Sequence, residues 1–230
     1  MALAAGLGTR MRPITNDRPK ALVEVGGRTL LDWALDRYAV AGVEQAVVNI
    51  HHFADLMEAH LASRTEEPQV SISDERDLVL ETGGGVVKAL PMLGEDPVFI
   101  SNIDAIWVDP AGQELQRLKE AWNPERMDAL LLLAPMQQTL GFDGPGDAFL
   151  DEAGRVSFRG GAPSAPYAYA GVQILNPSVL AGRKVERFSM MEVWRELLVA
   201  GRLHGCVMES FWMHVGDPDA LAKAEARLKA

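Results

Sequence analysis

Residues 3–22 read LAAGLGTRMRPITNDRPKAL. A short apolar run, Leu3 to Ala5, meets two glycines two apart, Gly6 and Gly8. Arg10, Arg12 and Lys20 follow on a stretch stiffened by Pro13 and Pro19. This is the end of a buried strand turning into a loop whose backbone can approach a ligand closely, because glycine has no Cβ. Spacing separates the phosphate loops that begin in this way. A dinucleotide fingerprint needs a third glycine where this chain has Met11, and an acidic residue after the next strand, where it has His51. An ATPase loop needs Gly-Lys-Ser/Thr after a four-residue gap, which is absent. What remains is a loop with N–H groups free to cradle phosphate oxygens. Arg10 can grip a phosphate through two parallel bonds, and Lys20 adds a mobile point charge.

Outward from this loop, short apolar runs alternate with amphipathic stretches. LLDWALDRYAVAG (30–42) has helical spacing and ends at Gly42, a C′ glycine. AVVNI (46–50), QVSIS (69–73), PVFIS (97–101) and ALLLLAP (129–135) read as strands, and residues 53–63, 86–93 and 113–122 as helices. Such alternation predicts an α/β fold: a doubly wound, mostly parallel mixed sheet, Rossmann-like, with helices on both faces. From residue 141 the chain turns rich in Gly and Pro and predicts β-hairpins laid on the end of the sheet. Residues 188–201 then read as a helix, 203–210 and 211–215 as strands, and 217–230 as a closing helix with Asp217 as N-cap and Pro218 at its first position. Trp33, Trp122 and Trp194 fall on apolar helix faces and are expected in the core. No repeat or linker interrupts the chain, so residues 1–230 are expected to form one domain.

The whole chain carries a net charge of −10, which argues against a nucleic-acid partner, since that requires a basic face. Against this acidic background the cations of the first loop mark a site for a small anion. Cys206 is the only cysteine, so no internal disulfide or thiolate-rich metal site forms, as suits a reducing cytoplasm. The first residues lack the layout of a signal peptide, and the run from Ala129 is too short to span a bilayer, so no membrane partner is expected. The chain opens inside its first strand, which is expected either to be short or to have residues preceding Met1.

The loop resembles the signature of the sugar-1-phosphate nucleotidyltransferases, L-A-A-G-x-G-T-R-[ML]-x-P-x-T…P-K-x-L, at nearly every position. The likeness continues through LETGGGVVKAL (80–90), SNIDAIW (101–107), YAGVQILNP (169–177) and FWMHVGDPDAL (211–221). The LETGGG segment and the short chain place it nearest the N-acetylmuramate-1-phosphate uridylyltransferases.

The resemblance implies attack by a sugar-1-phosphate on the α-phosphorus of a nucleoside triphosphate, UTP favoured, with release of pyrophosphate. It implies Arg10, Lys20 and Asp104 as catalytic residues. Leu3, Ala4, Ala5, Gly6, Gly8, Thr9, Arg10, Thr82, Gly83, Gly84 and Asn102 are expected at the nucleotide, and Glu81, Asp147 and Gly171 at the sugar. Mg²⁺, or Mn²⁺, is expected on Asp104. The second ligand position, Asp or Asn in the family, is His214 here, a poorer partner for a cation that prefers oxygen. Direct contact by His214, a water held by it, or replacement by Asp217 all remain open. His51 and His52 are expected to be structural. The chain is expected to be a monomer or homodimer. Two other readings stand beside this one: a mannose-1-phosphate guanylyltransferase, and a regulatory protein that binds nucleotide sugars without turning them over.

Overall fold

The computed structural model describes residues 1–109 and 112–229. Strand β1 (Ala2–Leu3) leads into the glycine-rich loop, which closes through a small hairpin, β2 (Glu24–Val25) and β3 (Arg28–Thr29). Thr29 then caps helix α1 (Leu30–Val40), its hydroxyl accepting from the Asp32 N–H, and Gly42 follows the helix at φ +77°. Strand β4 (Gln45–Ile50), helix α2 (Ala54–Ser63) and strand β5 (Gln69–Asp74) continue the alternation. Next come α3 (Glu81–Leu93), β6 (Val98–Asn102), β7 (Ala105–Trp107), α4 (Gln113–Ala121) and β8 (Ala129–Pro135). Strand β9 (Thr139–Leu140) precedes the hairpin β10 (Ala148–Leu150) and β11 (Val156–Phe158), then β12 (Tyr167–Leu175). Helix α5 (Met190–Val199), strands β13 (Leu203–Val207) and β14 (Trp212–His214) and helix α6 (Pro218–Leu228) complete the chain. Asp217 caps α6 from its side chain, as expected.

The main sheet runs β5-β4-β1-β6-β12-β8-β13. Within those seven strands only β12 is reversed; it pairs antiparallel with both β6 and β8. The β10–β11 hairpin extends from the start of β12, where Ala148 faces Tyr167. The sheet is therefore mixed, with its parallel half, β5-β4-β1-β6, at the N-terminal side.

Both faces are covered, which explains the continuous apolar runs in the central strands. Leu130, Leu132 and Ala134 pack with α1, α2 and α4 on one face. Leu131 and Leu133, one residue out of phase, pack with α3 and α5 on the other. Trp194 is buried in this second layer, while Trp33 and Trp122 are half-buried against the first. No helix among the described residues is long and apolar enough to cross a membrane.

Register determines which polar groups gather at the carboxyl edge. Leu3, last in β1, lies between Asn49 of β4 and Asn102 of β6. A second small sheet, β7-β14-β9, joins three distant segments and sets His214 opposite Ala105, the residue after Asp104.

Candidate active site

The loop after β1 is held open by two side chains of very different kinds. Gly8 adopts φ +62°, and its carbonyl accepts from the Met11 N–H at 3.0 Å and the Thr15 hydroxyl at 2.8 Å. Met11 is fully buried, so the position where a dinucleotide loop has its third glycine is instead an apolar anchor. A Cβ on Gly8 would lie 2.9 Å from the Cβ of Lys20, so only glycine lets the lysine segment pack under the loop.

From beneath the loop Lys20 donates from Nζ to Asp104 Oδ2 at 2.8 Å. Asp104 sits in the turn between β6 and β7, and its carbonyl is fixed by the Val215 N–H at 2.9 Å. His214 Nε2 approaches the same Oδ2 at 3.3 Å, and its Nδ1 meets the Gly141 carbonyl at 3.1 Å. With an acceptor at each nitrogen, the ring is best satisfied as an imidazolium. Burial pulls the His214 pKa down, but the hydrogen bond and charge of Asp104, helped by the Gly141 carbonyl, outweigh it and hold the pKa above the usual histidine value. Burial works against the Asp104 carboxylate, yet the His214 hydrogen bond and the Lys20 charge keep its pKa well below the usual carboxylate range. Asp104 Oδ1 has no hydrogen-bond partner among the described residues and is not sealed from solvent.

Lys20 and Asp104 line a cleft of about 510 Å³, with His214 behind Asp104 and outside the lining. Leu3 through Gly6, with Gly8, Thr9 and Arg10, line it together with Lys20, Asn102 and Asp104. Glu81 and Thr82, at the start of α3, form a further wall. Glu81 is an unusual non-glycine residue at φ +60°, and one of its oxygens takes both Nε and a terminal nitrogen of Arg187, at 2.8 and 2.7 Å. Thr82 accepts the Met190 N–H on its hydroxyl at 2.9 Å, which ties this wall to the start of α5.

Gly83 and Gly84, expected at the nucleotide, are not on the cleft wall. They lie in the first turn of α3, which begins five residues earlier than its apolar pattern predicts, and both donate their N–H groups to the Phe188 carbonyl. A Cβ on Gly83 would sit 2.3 Å from the Phe188 ring, and one on Gly84 2.0 Å from the Glu186 carbonyl oxygen. They serve close packing against residues 186–188.

Asp147 and Gly171, expected at the sugar, are also outside the cleft lining. The Asp147 carboxylate accepts the Tyr169 N–H at 2.9 Å and braces the hairpin against β12. Gly171, at φ +81° where β12 bulges, lies against the Asn102 side chain. Asp217 is occupied as a helix cap, which leaves His214 as the group facing Asp104. His51 is structural, its Nδ1 paired with the Glu75 carbonyl at 2.7 Å.

The sequence reading passed over Asn49, Glu75, Ser189 and Gly216, all of which line the cleft. Asn49 carried a signal: it is the one polar residue in the otherwise apolar AVVNI.

The model of the MobA-like NTP transferase domain matches residues 1–145. The chain belongs to this family. As a MobA-like NTP transferase it is 53% identical over 231 residues to the N-acetylmuramate alpha-1-phosphate uridylyltransferase of Caulobacter vibrioides, covering 99% of this chain and 96% of that protein. A second uridylyltransferase of that name, from Neisseria meningitidis, is 30% identical over 98% of this chain and 96% of its own length. The mannose-1-phosphate guanyltransferase of Aspergillus fumigatus is 31% identical, but only 60% of it is covered, against 95% of this chain. Among solved structures, UDP-glucose pyrophosphorylase complexed with UDP-glucose superposes with a TM-score of 0.81 at 15% identity, covering 99% of this chain and 97% of that one. The UTP-bound enzyme from Acinetobacter baumannii gives 0.76 at 20% identity, covering 99% and 91%. These place the transferase in the Rossmann-like nucleotidyltransferase fold.

Proposed function

We propose that this nucleotidyltransferase joins UTP and N-acetylmuramic acid 1-phosphate to give UDP-N-acetylmuramic acid and pyrophosphate. The convergence of Lys20 and His214 on Asp104, at the end of a cleft walled by the glycine loop, carries the nucleotidyl-transfer reading. The near full-length identity to the Caulobacter relative supports the substrate pair.

A phosphate oxygen of the sugar-1-phosphate attacks the α-phosphorus, a new P–O bond forms there, and the bond to the β-phosphate breaks. The nucleophile is already an anion, so the site needs no strong base. It needs positioning and charge neutralisation. The loop N–H groups around Gly6 and Gly8 cradle the triphosphate, Arg10 grips its outer oxygens, and Lys20 stands beside the reacting phosphates. Asn102 and the backbone of Leu3 to Ala5 border the nucleoside.

A divalent cation fits the donors present. Asp104 offers a free carboxylate oxygen, and His214 would offer Nε2 only once the ring gave up the proton it directs at Asp104; no group of three or more metal-binding side chains gathers among the described residues. Such a pair suits a cation whose remaining ligands are substrate phosphates and water. Bound Mg²⁺ or Mn²⁺ would neutralise charge on the phosphates. The nitrogen donor favours Mn²⁺ more than an all-oxygen site would. UTP as donor and the lone cysteine both suit a cytoplasmic enzyme.

Pyrophosphate release measured across UTP, GTP, CTP and dTTP, each with several sugar-1-phosphates, tests the substrate pair. The expected result is fastest turnover for UTP with N-acetylmuramic acid 1-phosphate. Faster turnover of GTP with mannose-1-phosphate would replace it with the guanylyltransferase reading. Nucleotide binding without product from any pair would replace it with the regulatory one.

A further inference from the structure

Glu75 follows β5 directly and is only 1% exposed. No Lys, Arg or His among the described residues pairs with its carboxylate. A buried anion without a counter-charge is costly unless donors take up its oxygens. Two do: Asn49 Nδ2 donates to Oε1 at 2.7 Å, and the Leu80 N–H donates to Oε2 at 3.1 Å. The Asn49 amide oxygen in turn accepts the Ala4 N–H at 2.7 Å. The result is a continuous brace from the glycine loop, across the floor of the cleft, to the residue before α3. The next two residues, Glu81 and Thr82, line the cleft.

The polarity of this brace is fixed at both ends by backbone donors. Asn49 must turn its oxygen to Ala4, so its NH₂ must meet a group that only accepts, and a carboxylate is such a group. The fold also keeps space for the brace. A Cβ on Gly85 would lie 2.8 Å from Glu75 Oε1 and 3.0 Å from Asn49 Nδ2, so the last glycine of the LETGGG run gives the pair its room.

We propose that Asn49 and Glu75 are positioning residues that set the distance between the Leu3–Gly8 backbone and the entry of α3, and with it the fit of the nucleoside of the bound triphosphate. This inference rests on the reading of the cleft as the nucleoside triphosphate site.

A reciprocal swap tests it. Asn49→Asp alone sets two carboxylates face to face. Glu75→Gln alone leaves one donor against another however the two amides turn. In the double variant the new carboxylate at 49 accepts from Ala4 and from the new amide at 75, whose oxygen accepts from Leu80, and the brace is whole again. Calorimetric binding of UTP with magnesium chloride, the KM for each substrate and the thermal midpoint of the free protein are measured on all four proteins. Each single variant is expected to weaken UTP binding about tenfold or more, and to raise the UTP KM more than that of the sugar phosphate; the double variant is expected to return to within about threefold of wild type. Unchanged UTP affinity in the single variants overturns the proposal. So do equal rises in both KM values, and a double variant no better than its worse parent. If a single variant does not fold, the double variant decides: folded with near wild-type affinity it supports the brace, and unfolded or weak in binding it overturns it. Wild-type protein that binds no nucleoside triphosphate refutes the reading of the cleft instead.

Discussion

Asp104 places two cations on one oxygen and leaves the other free, an arrangement with little structural purpose in a half-open cleft. Lys20→Ala and Asp104→Ala are each expected to lower kcat/KM at least about 100-fold, roughly 2.7 kcal/mol of transition-state stabilisation, with an unchanged circular-dichroism spectrum. Activity within a few fold of wild type in either variant would remove that residue from the chemistry. If His214 takes part in holding the proposed cation, His214→Ala is expected to raise the divalent-cation concentration for half-maximal rate about tenfold; an unchanged midpoint would reduce the ring to a partner of Asp104 and Gly141. At this scale Lys20 was singled out by its place on the basic first loop and Asp104 by the resemblance of SNIDAIW to the family's strand end, and the structure brings the two together. The meeting of His214 with Asp104 was not. It depends on the register of β14 against β7, which places His214 opposite Ala105. Asn49 stood out as a polar residue in an apolar strand, but its partner Glu75 was hidden: sequence gives no sign that a glutamate after a strand will be buried and bonded across to the first loop.

Helix α3 shows how an element can carry its sequence motif for packing. The LETGGG segment resembles a binding loop, but glycines at 83 and 84 admit the 186–188 segment so closely that no Cβ fits, and this contact presents Glu81 and Thr82 to the cleft. Gly84→Ala is expected to destabilise the protein by about 1–3 kcal/mol in chemical denaturation, since the new methyl meets a backbone carbonyl that cannot swing away. A stability within about 0.5 kcal/mol of wild type would mean that residues 186–188 are not held against the helix. Apolar periodicity could not find the start of α3, because its first turn has glycines where an amphipathic helix shows its pattern. The other helices and the central strands were legible because their apolar residues recur at 3.6 or fill both faces of the sheet.

Across the whole molecule, strand order gathers what sequence separates. Placing β1 between β4 and β6 draws Asn49, Leu3 and Asn102 into one row at the carboxyl edge, and the small β7-β14-β9 sheet brings the end of the chain onto Asp104. The alternating pattern of the first half implied the parallel part of this sheet. The reversal of β12 and the second sheet arise from long-range pairing that no local signal encodes. Transfer of the nucleotidyl group to the sugar phosphate at this edge is the central claim, and phosphorus NMR with isotope-labelled sugar phosphate tests it most directly. N-acetylmuramic acid 1-phosphate carrying ¹⁸O in its phosphoryl oxygens is incubated with unlabelled UTP, magnesium chloride and the protein. The account predicts equal amounts of UDP-sugar and pyrophosphate, with all of the label in the UDP-sugar and none in the pyrophosphate. Label in pyrophosphate or inorganic phosphate, or no UDP-sugar at all, would contradict it.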